Sequence, residues 1–494
     1  MATQKEKDVA VVTADAPQEN LLDKILTEGR MGRDEFQKER AKDMISEFVS
    51  QVMAGELTMS KRMDLAINSR IAEIDRLLSA QLNEIMHNEN FQKLEGSWRG
   101  LNQLVMNSET STMLKIRVMN VNKKDLLKDL EKAVEFDQSA MFKKVYEEEY
   151  GTFGGAPFGA LIGDYEFGNH PQDMALLEKI SQVAAAAHAP FLSAASADLF
   201  GWETFSEMTE VRDISKIFDR TEYAKWRSFR DSEDSRYVGL TLPHTLGREP
   251  YGAATRPTET FRFEEDTDGK DHKKYLWSNA AYSLGTRLTE AFAMYGWCVA
   301  IRGVEGGGMV DSLPTHTFQT DEGEVAMKCP TEVAITDRRE KEFSDNGFIP
   351  LVHCKGTDYA AFFGMQSANK AKKYDTDAAN ANARLSTQLQ YLFATSRFAH
   401  YLKSMMRDKI GSFMSREEAQ VFLNRWIKNY VLDNDTATQK AKASRPLREA
   451  RIDVAEVPGK PGVYKAVAFL RPHFQLDELS VSLRLVAELP KPAK

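Results

Sequence analysis

The sequence predicts a mixed α/β (α+β) protein with an N-terminal helical arm, a central α/β domain and a C-terminal α+β domain ending in long β-strands. Three observations predict it. Roughly the first hundred residues carry amphipathic helices in series, with apolar residues three to four apart. From about residue 114, short β-like runs alternate with helical ones. The last run, 479–489, alternates, with Leu479, Val481, Leu483 and Leu485 on one face and Ser480, Ser482, Arg484, Val486 and Glu488 on the other.

Taken in order, residues 1–16 hold too few apolar side chains to offset the entropy of ordering and read as a disordered tail. The arm, 17–110, begins with a short segment in which Pro17 sits at a first helical turn and Leu21, Leu22, Ile25 and Leu26 share a face; Gly29 and Gly32 end it. A second helix carries Ala41, Met44, Ile45, Phe48 and Val52. A third carries Met63, Ile67, Ile71, Ile74, Leu78, Leu82 and Ile85, and a fourth continues through Phe91, Leu94, Trp98, Leu101 and Leu104. None of these helices is self-contained, so the arm needs something to pack against. Trp98, among leucines at helical spacing, reads as a core anchor, as does Trp426.

The central domain, 111–370, offers strands at 114–118, 159–165, 190–195, 237–242, 333–335, 349–354 and 358–363. Helices are expected at 123–136, 172–188 and, long and buried, 277–299. A polar stretch, 369–382, marks the boundary to the C-terminal domain, 371–494. Two helices open that domain, one through Leu385, Leu389, Leu392, Ala399 and Leu402, the other through Ala419, Phe422, Leu423, Trp426, Ile427 and Tyr430. Strands follow at 450–457, 463–470 and 479–489. No repeat of 20–50 residues is visible, which argues against solenoids and propellers.

The 494 residues exceed one hydrophobic core. With 65 Lys plus Arg against 73 Asp plus Glu, the net charge of −8 disfavours nucleic acid as the main partner. Cys298, Cys329 and Cys354 are scattered and odd in number, as expected of a reducing compartment. No run reaches the roughly 20 apolar residues of a membrane helix, and the N-terminus lacks a signal-peptide layout, so a cytoplasmic protein without membrane insertion is expected.

The search for chemistry comes out negative. Nine histidines are spread singly with no HExxH or HxH pair, so no metal site is expected. There is no GxxxxGK[ST] loop, no GxGxxG and no GxSxG elbow, and Gly306–Gly308 reads as a turn after Arg302. The acidic clusters 147–149 and 264–266 read as solvated faces. No catalytic residue, cofactor or metal is expected.

Several blocks then resemble one family along most of the chain from about residue 60. They are LEGSWRGL (94–101), SAASADLFG (193–201), YVGLTLPHTLGREPYG (237–252), LWSNAAYSLGTRLTEAFAMYGWCVAIRGVEGGG (276–308), DRREKEFSDNGFIPL (337–351) and RPHFQLDELSVSLRLVAELP (471–490). In this set the chain resembles the TssC/VipB family, the large subunit of the type VI secretion contractile sheath.

The resemblance implies a structural protein, not an enzyme. It implies pairing with a small sheath subunit (TssB/VipA), helical stacking with neighbouring protomers around a tube of Hcp, contact with the baseplate, and recycling by the AAA+ unfoldase ClpV. Under it the arm, with Ile67, Ile71, Ile74 and Leu78, is the partner-packing element. Leu21, Leu22, Ile25 and Leu26 become the unfoldase-binding face, the alternative being a frayed terminal helix. Leu479, Val481, Leu483 and Leu485 become an inter-protomer strand, the alternative being an internal sheet element. Asp433 and Asp435, after the helix 415–432, are the tube-facing candidates. The rival readings are a single-chain phage-tail or tailocin sheath protein and a cytoplasmic enzyme with a cryptic site.

Overall fold

A computed structural model describes residues 35–53, 63–259, 261–320, 323, 325–412, 414–434, 436–459 and 463–476. It divides into two compact units: Met1–Gln81 with Glu259–Glu264, and Leu82–Thr258 with Glu265–Lys494.

The first unit holds α1 (Glu35–Met53) and most of α2 (Met63–Met86). The second helix follows its sequence pattern, with Ile67, Ile71, Ile74 and Leu78 three to four apart. All four side chains are 41–51% exposed.

The second unit opens with α3 (Glu89–Met106), started by Asn88, whose side chain accepts from the Asn90 N–H. The expected strand at 114–118 is not one: among the described residues it has no ladder partner, and Arg117 instead pairs with Glu149. Next come α4 (Lys123–Lys132), capped by Asn122, and a π-helix over Lys143–Tyr150.

A six-stranded sheet in the order β1-β2-β3-β9-β10-β6 organises the centre. Strands β1 (Leu161–Phe167), β2 (Phe191–Ala195) and β3 (Val238–Leu242) are parallel, and α5 (Pro171–Ala187) makes the first crossover. The helix α6 (Ala224–Asp231) lies within the second crossover. Three short pieces precede the next sheet strand in the chain: β4 (Thr245–Leu246), β5 (Trp277–Ser278) and the helix α7 (Ala280–Tyr295). The expected helix over 277–299 is therefore shorter: Asn279 caps its start, and Gly296, in the left-handed region at φ 75°, stops it. After β6 (Met309–Val310) and the hairpin β7 (His316–Gln319) with β8 (Val325–Lys328), the segment 333–335 forms no strand and leads into α8 (Asp337–Asp345). Strand β9 (Ile349–His353) then pairs parallel with β3, and β10 (Ala360–Phe362) turns back antiparallel between β9 and β6.

The two-residue period of these strands sends neighbouring side chains to opposite faces and builds one core on each. Phe191, Val238, Leu240 and Leu242 join Leu177, Ile180 and Val183 of α5. Leu192, Ile349, Leu351 and Phe362 join Leu284 and Leu288 of α7. Gly239 is required at the second face: a Cβ there would lie 2.7 Å from Leu389 and 2.9 Å from Ile349.

Beyond α9 (Asp377–Leu385) the chain builds a third core. The long helix α10 (Leu389–Asp408) packs by its first turns on the sheet and by Ala394 and Phe398 on α11 (Arg416–Ile427), where Leu423 and Ile427 meet Trp297. Phe398 and Trp297 stack 4.2 Å apart. The hairpin β11 (Leu447–Glu456) and β12 (Tyr464–Pro472) closes this core with Leu447, Ile452 and Val454.

Candidate functional site

Among the described residues no three His, Cys, Asp or Glu side chains converge to hold a metal ion, and no helix is long and apolar enough to cross a membrane. What the second unit presents instead is exposed apolar surface and a strand edge, beside two charge networks, one buried and one open to solvent on its Glu166 side.

The first surface is α3. Its inner face carries Gly96, Gly100 and Leu104. A Cβ on Gly96 would lie 2.5 Å from the Trp277 carbonyl oxygen, and one on Gly100 would lie 2.3 Å from the Tyr282 ring. The two glycines, one helical turn apart, thus let α3 press against β5 and α7 at backbone distance. The opposite face carries Phe91, Leu94, Trp98 and Val105, all exposed, with Trp98 62% so. Trp98 is therefore not a core anchor. The glycines occupy the buried stripe, and the tryptophan falls about half a turn away from it. Trp426, by contrast, packs against the third core.

Charge fixes this helix in place. Arg248, with its side chain 3% exposed, donates from Nη1 and Nη2 to Glu265 at 2.6 and 3.0 Å and from Nε to Glu95 at 2.8 Å. Arg99 Nε adds a bond to Glu95 at 2.7 Å. Burial opposes the charge on Glu95, but Arg248 and Arg99 outweigh it and hold the carboxyl below its usual range. The bidentate pairing with Glu265 and the bond to Glu95 compensate the buried guanidinium of Arg248.

A second network sits where β1 and β3 end. His244, just past the cis Leu242–Pro243 bond, places Nδ1 2.7 Å from Glu332 and Nε2 3.0 Å from Glu166. Burial disfavours the imidazolium, yet the two carboxylates push its pKa up to about 10. The charged histidine and its two carboxylates tie the ends of β1 and β3 to the segment that carries Glu332.

The second surface is the C-terminal hairpin. The Val457 N–H donates to Val463 O at 2.9 Å, and alternation from that pair turns the backbone polar groups of Ile452 and Val454 away from β12. Helix α11 satisfies them. Asn424 donates to Ile452 O at 2.7 Å and accepts from Ile452 N at 3.0 Å, while Gln420 accepts from Val454 N at 3.2 Å. The outer edge of β11 is thus closed by side chains. By the same alternation Tyr464, Ala466, Ala468 and Leu470 turn their N–H and C=O groups outward from β12, which among the described residues pairs with β11 alone. Around this open edge Val467, Phe469, Phe474 and Leu476 are exposed.

The pattern matches a known family over nearly the whole chain. Residues 68–369 match VipB, the EvpB/VC_A0108 tail sheath N-terminal domain, and 378–489 match the tail sheath gpW/gp25-like domain of the same name. The chain belongs to the VipB tail sheath family. As a VipB-family member it is a sheath protein. It is 55% identical over 429 residues to the type VI secretion system sheath protein TssC1 of Pseudomonas aeruginosa, an alignment covering 86% of each chain. Solved structures with a looser likeness include a chain of the anti-feeding prophage baseplate (TM-score 0.35, 7% identity, 64% of this chain and 66% of that one). Another is a chain of the contracted PVC sheath of an extracellular contractile injection system (TM-score 0.31, 7% identity, 63% and 68%).

Of the residues singled out in the sequence, Ile67, Ile71, Ile74 and Leu78 lie on an exposed helix face and Asp433 is exposed after α11. Leu21, Leu22, Ile25, Leu26, Asp435, Leu479, Val481, Leu483 and Leu485 lie outside the described residues. The inward turn of the α3 glycines and the one-sided edge of β12 were missed. The pair Gln420 and Asn424, amides one turn apart on a helix followed by a hairpin, was the signal available for the second.

Proposed function

We propose that the chain is the large subunit of a type VI secretion contractile sheath, acting by assembly and without enzymatic activity. It pairs with a small sheath subunit, polymerises helically around an Hcp tube in the cytoplasm, meets the baseplate at one end and is recycled by a ClpV-type unfoldase. The observation that best supports assembly is the outer edge of β12, unpaired among the described residues, beside a closed edge of β11. One free edge accepts one strand in one direction, and a head-to-tail contact of that kind propagates into an open helix. Strands such as 479–489 of a neighbouring copy are suitable donors. Backbone hydrogen bonds tolerate rotation of whole subunits about the link, so protomers stay joined while the sheath shortens.

The exposed faces of α2 and α3 suit the small subunit, since an obligate partner buries apolar surface of this kind. The segment 17–28, with Leu21, Leu22, Ile25 and Leu26, suits groove recognition by the unfoldase. Asp433 and Asp435 suit a basic tube surface.

Co-expression with the small subunit, followed by negative-stain electron microscopy, tests the proposal. Hollow cylinders that require both chains are expected. Soluble single chains in the presence of the partner would refute it, and cylinders formed by this chain alone would favour a single-chain sheath.

A further inference from the structure

Away from both surfaces, the segment between β8 and α8 carries a thiol that assembly leaves without a role. Cys329 follows the last residue of β8 and is part-buried. Its backbone is pinned against β4 and the residue before it. The Leu246 N–H donates to Pro330 O at 2.8 Å, the Glu332 N–H donates to His244 O at 2.9 Å, and Thr245 and Thr331 form a β-bridge. On one side of the sulfur, Thr331 Oγ1 lies 3.1 Å away and the Thr331 N–H bonds to it. That hydroxyl also lies 3.0 Å from Val333 O and can turn its proton from the carbonyl to the sulfur.

The other partner of the sulfur is His353, the last residue of β9, whose side chain hydrogen-bonds to it. The ring is oriented from behind. Nε2 lies 2.8 Å from Thr357 O, and because a carbonyl only accepts, that nitrogen carries the ring proton. Nδ1 is left with its lone pair for the Cys329 S–H. The turn that supplies the carbonyl is itself closed, since the N–H and the hydroxyl of Thr357 both donate to Cys354 O, at 3.2 and 2.8 Å. A nucleophile, a base and an acceptor that orients the base thus stand in series. Among the described residues the pair lacks the further ligands that a metal site needs.

Burial opposes the thiolate, but His353 and Thr331 outweigh it and hold the Cys329 thiol below its ordinary range. Burial likewise opposes the imidazolium, and the bonds to Cys329 and Thr357 O raise His353 above its ordinary value. Cys298 shows the contrast: burial with no such partner pushes its thiol up to about 12. We propose that Cys329 is a redox modification site for small hydroperoxides, with His353 as its acid–base partner. His353 Nδ1 takes the thiol proton. The sulfur then attacks one oxygen of hydrogen peroxide, and the S–O bond forms as the O–O bond breaks. The leaving hydroxide takes the proton back from the imidazolium and departs as water. Cys329 becomes the sulfenic acid, oxidised by two electrons, and those electrons reduce the peroxide. A part-buried sulfur suits a small co-reactant of this kind better than it suits a thiol on another protein. The inference stands apart from the sheath reading and does not rest on it.

Labelling of the native full-length chain, read by mass spectrometry, tests it, because Cys298, Cys329 and Cys354 fall on separate tryptic peptides. Iodoacetamide reads the thiolate. From pH 6 to 8 an ordinary thiol with a pKa near 8.5 gains roughly 70-fold in rate. The gain at Cys329 is expected to be smaller by about threefold or more, because part of the thiol is already ionised at the lower pH. Hydrogen peroxide with dimedone reads the oxidation. At pH 7 the sulfenic-acid adduct is expected on Cys329, formed about tenfold faster than in His353→Gln. An ordinary pH profile, a Cys329 without adduct, or an unchanged rate in a folded His353→Gln chain overturns the inference. Should that variant fail to fold, the profile and the adduct of the native chain decide.

Discussion

Under the proposed function the two faces of α3 separate folding from assembly, and a pair of single substitutions measures the separation. An aromatic side chain of Trp size buries up to about 250 Å². With Trp98 62% exposed, roughly 150 Å² remains for a partner to cover, worth at most about 4 kcal/mol at ~25 cal/mol/Å². Ordering and desolvation at the interface take part of that, so Trp98→Ala is expected to weaken small-subunit binding by about 2–4 kcal/mol, roughly 30- to 1000-fold. The isolated chain should change by less than the binding does, since most of the residue is exposed.

Gly96→Ala reverses the pattern. Its Cβ would lie 2.5 Å from the Trp277 carbonyl oxygen, a backbone atom with no freedom to yield. Overpacking costs about 1–3 kcal/mol, against a helix-propensity gain of up to about 1 kcal/mol, so a net loss of stability is expected. Calorimetric titration with the small subunit and denaturant unfolding of each variant read the two quantities. A Trp98→Ala chain that unfolds as readily as Gly96→Ala, or that binds the small subunit unchanged, would refute the division of faces.

Other expectations follow from the same geometry. Glu265→Ala strands Arg248, with its side chain 3% exposed, away from its main counter-charge, and a loss of roughly 3–5 kcal/mol in urea unfolding is expected. His244 has a folded pKa of about 10 against an ordinary value near 6.5. Its stabilisation is therefore full below about pH 6.5 and lost as pH rises toward 10. Unfolding midpoints across that window should fall more steeply for the native chain than for His244→Gln, and parallel curves would contradict the triad. Ala466→Pro deletes an N–H that points away from β11, a substitution sheet edges tolerate. The chain should stay folded by circular dichroism while cylinders disappear from micrographs. Leu22→Asp with Ile25→Asp should abolish pull-down by the unfoldase and spare assembly. Charge reversal at Asp433 and Asp435 should lower sheath yield on the tube.

Much was legible without coordinates because local patterns are sufficient where one face of an element is buried. Short β-like runs located β1, β2, β3 and β9 within a residue or two, while the helix set at 277–299 runs only from Ala280 to Tyr295 between its Asn279 and Gly296 caps. The motif blocks identified the family. What the sequence could not decide was direction. Apolar spacing on α3 is the same whether leucines or glycines face inward, and only contact with Trp277 and Tyr282 shows that the glycines do. A run such as 114–118 has strand composition, but a strand exists only with a ladder partner, which lies elsewhere in the chain. The far edge of β11 is closed by Gln420 and Asn424, side chains about thirty residues earlier in the chain. Local periodicity reports how a residue relates to its own helix or strand. Packing partners separated by tens to hundreds of residues decide which face is left for another molecule.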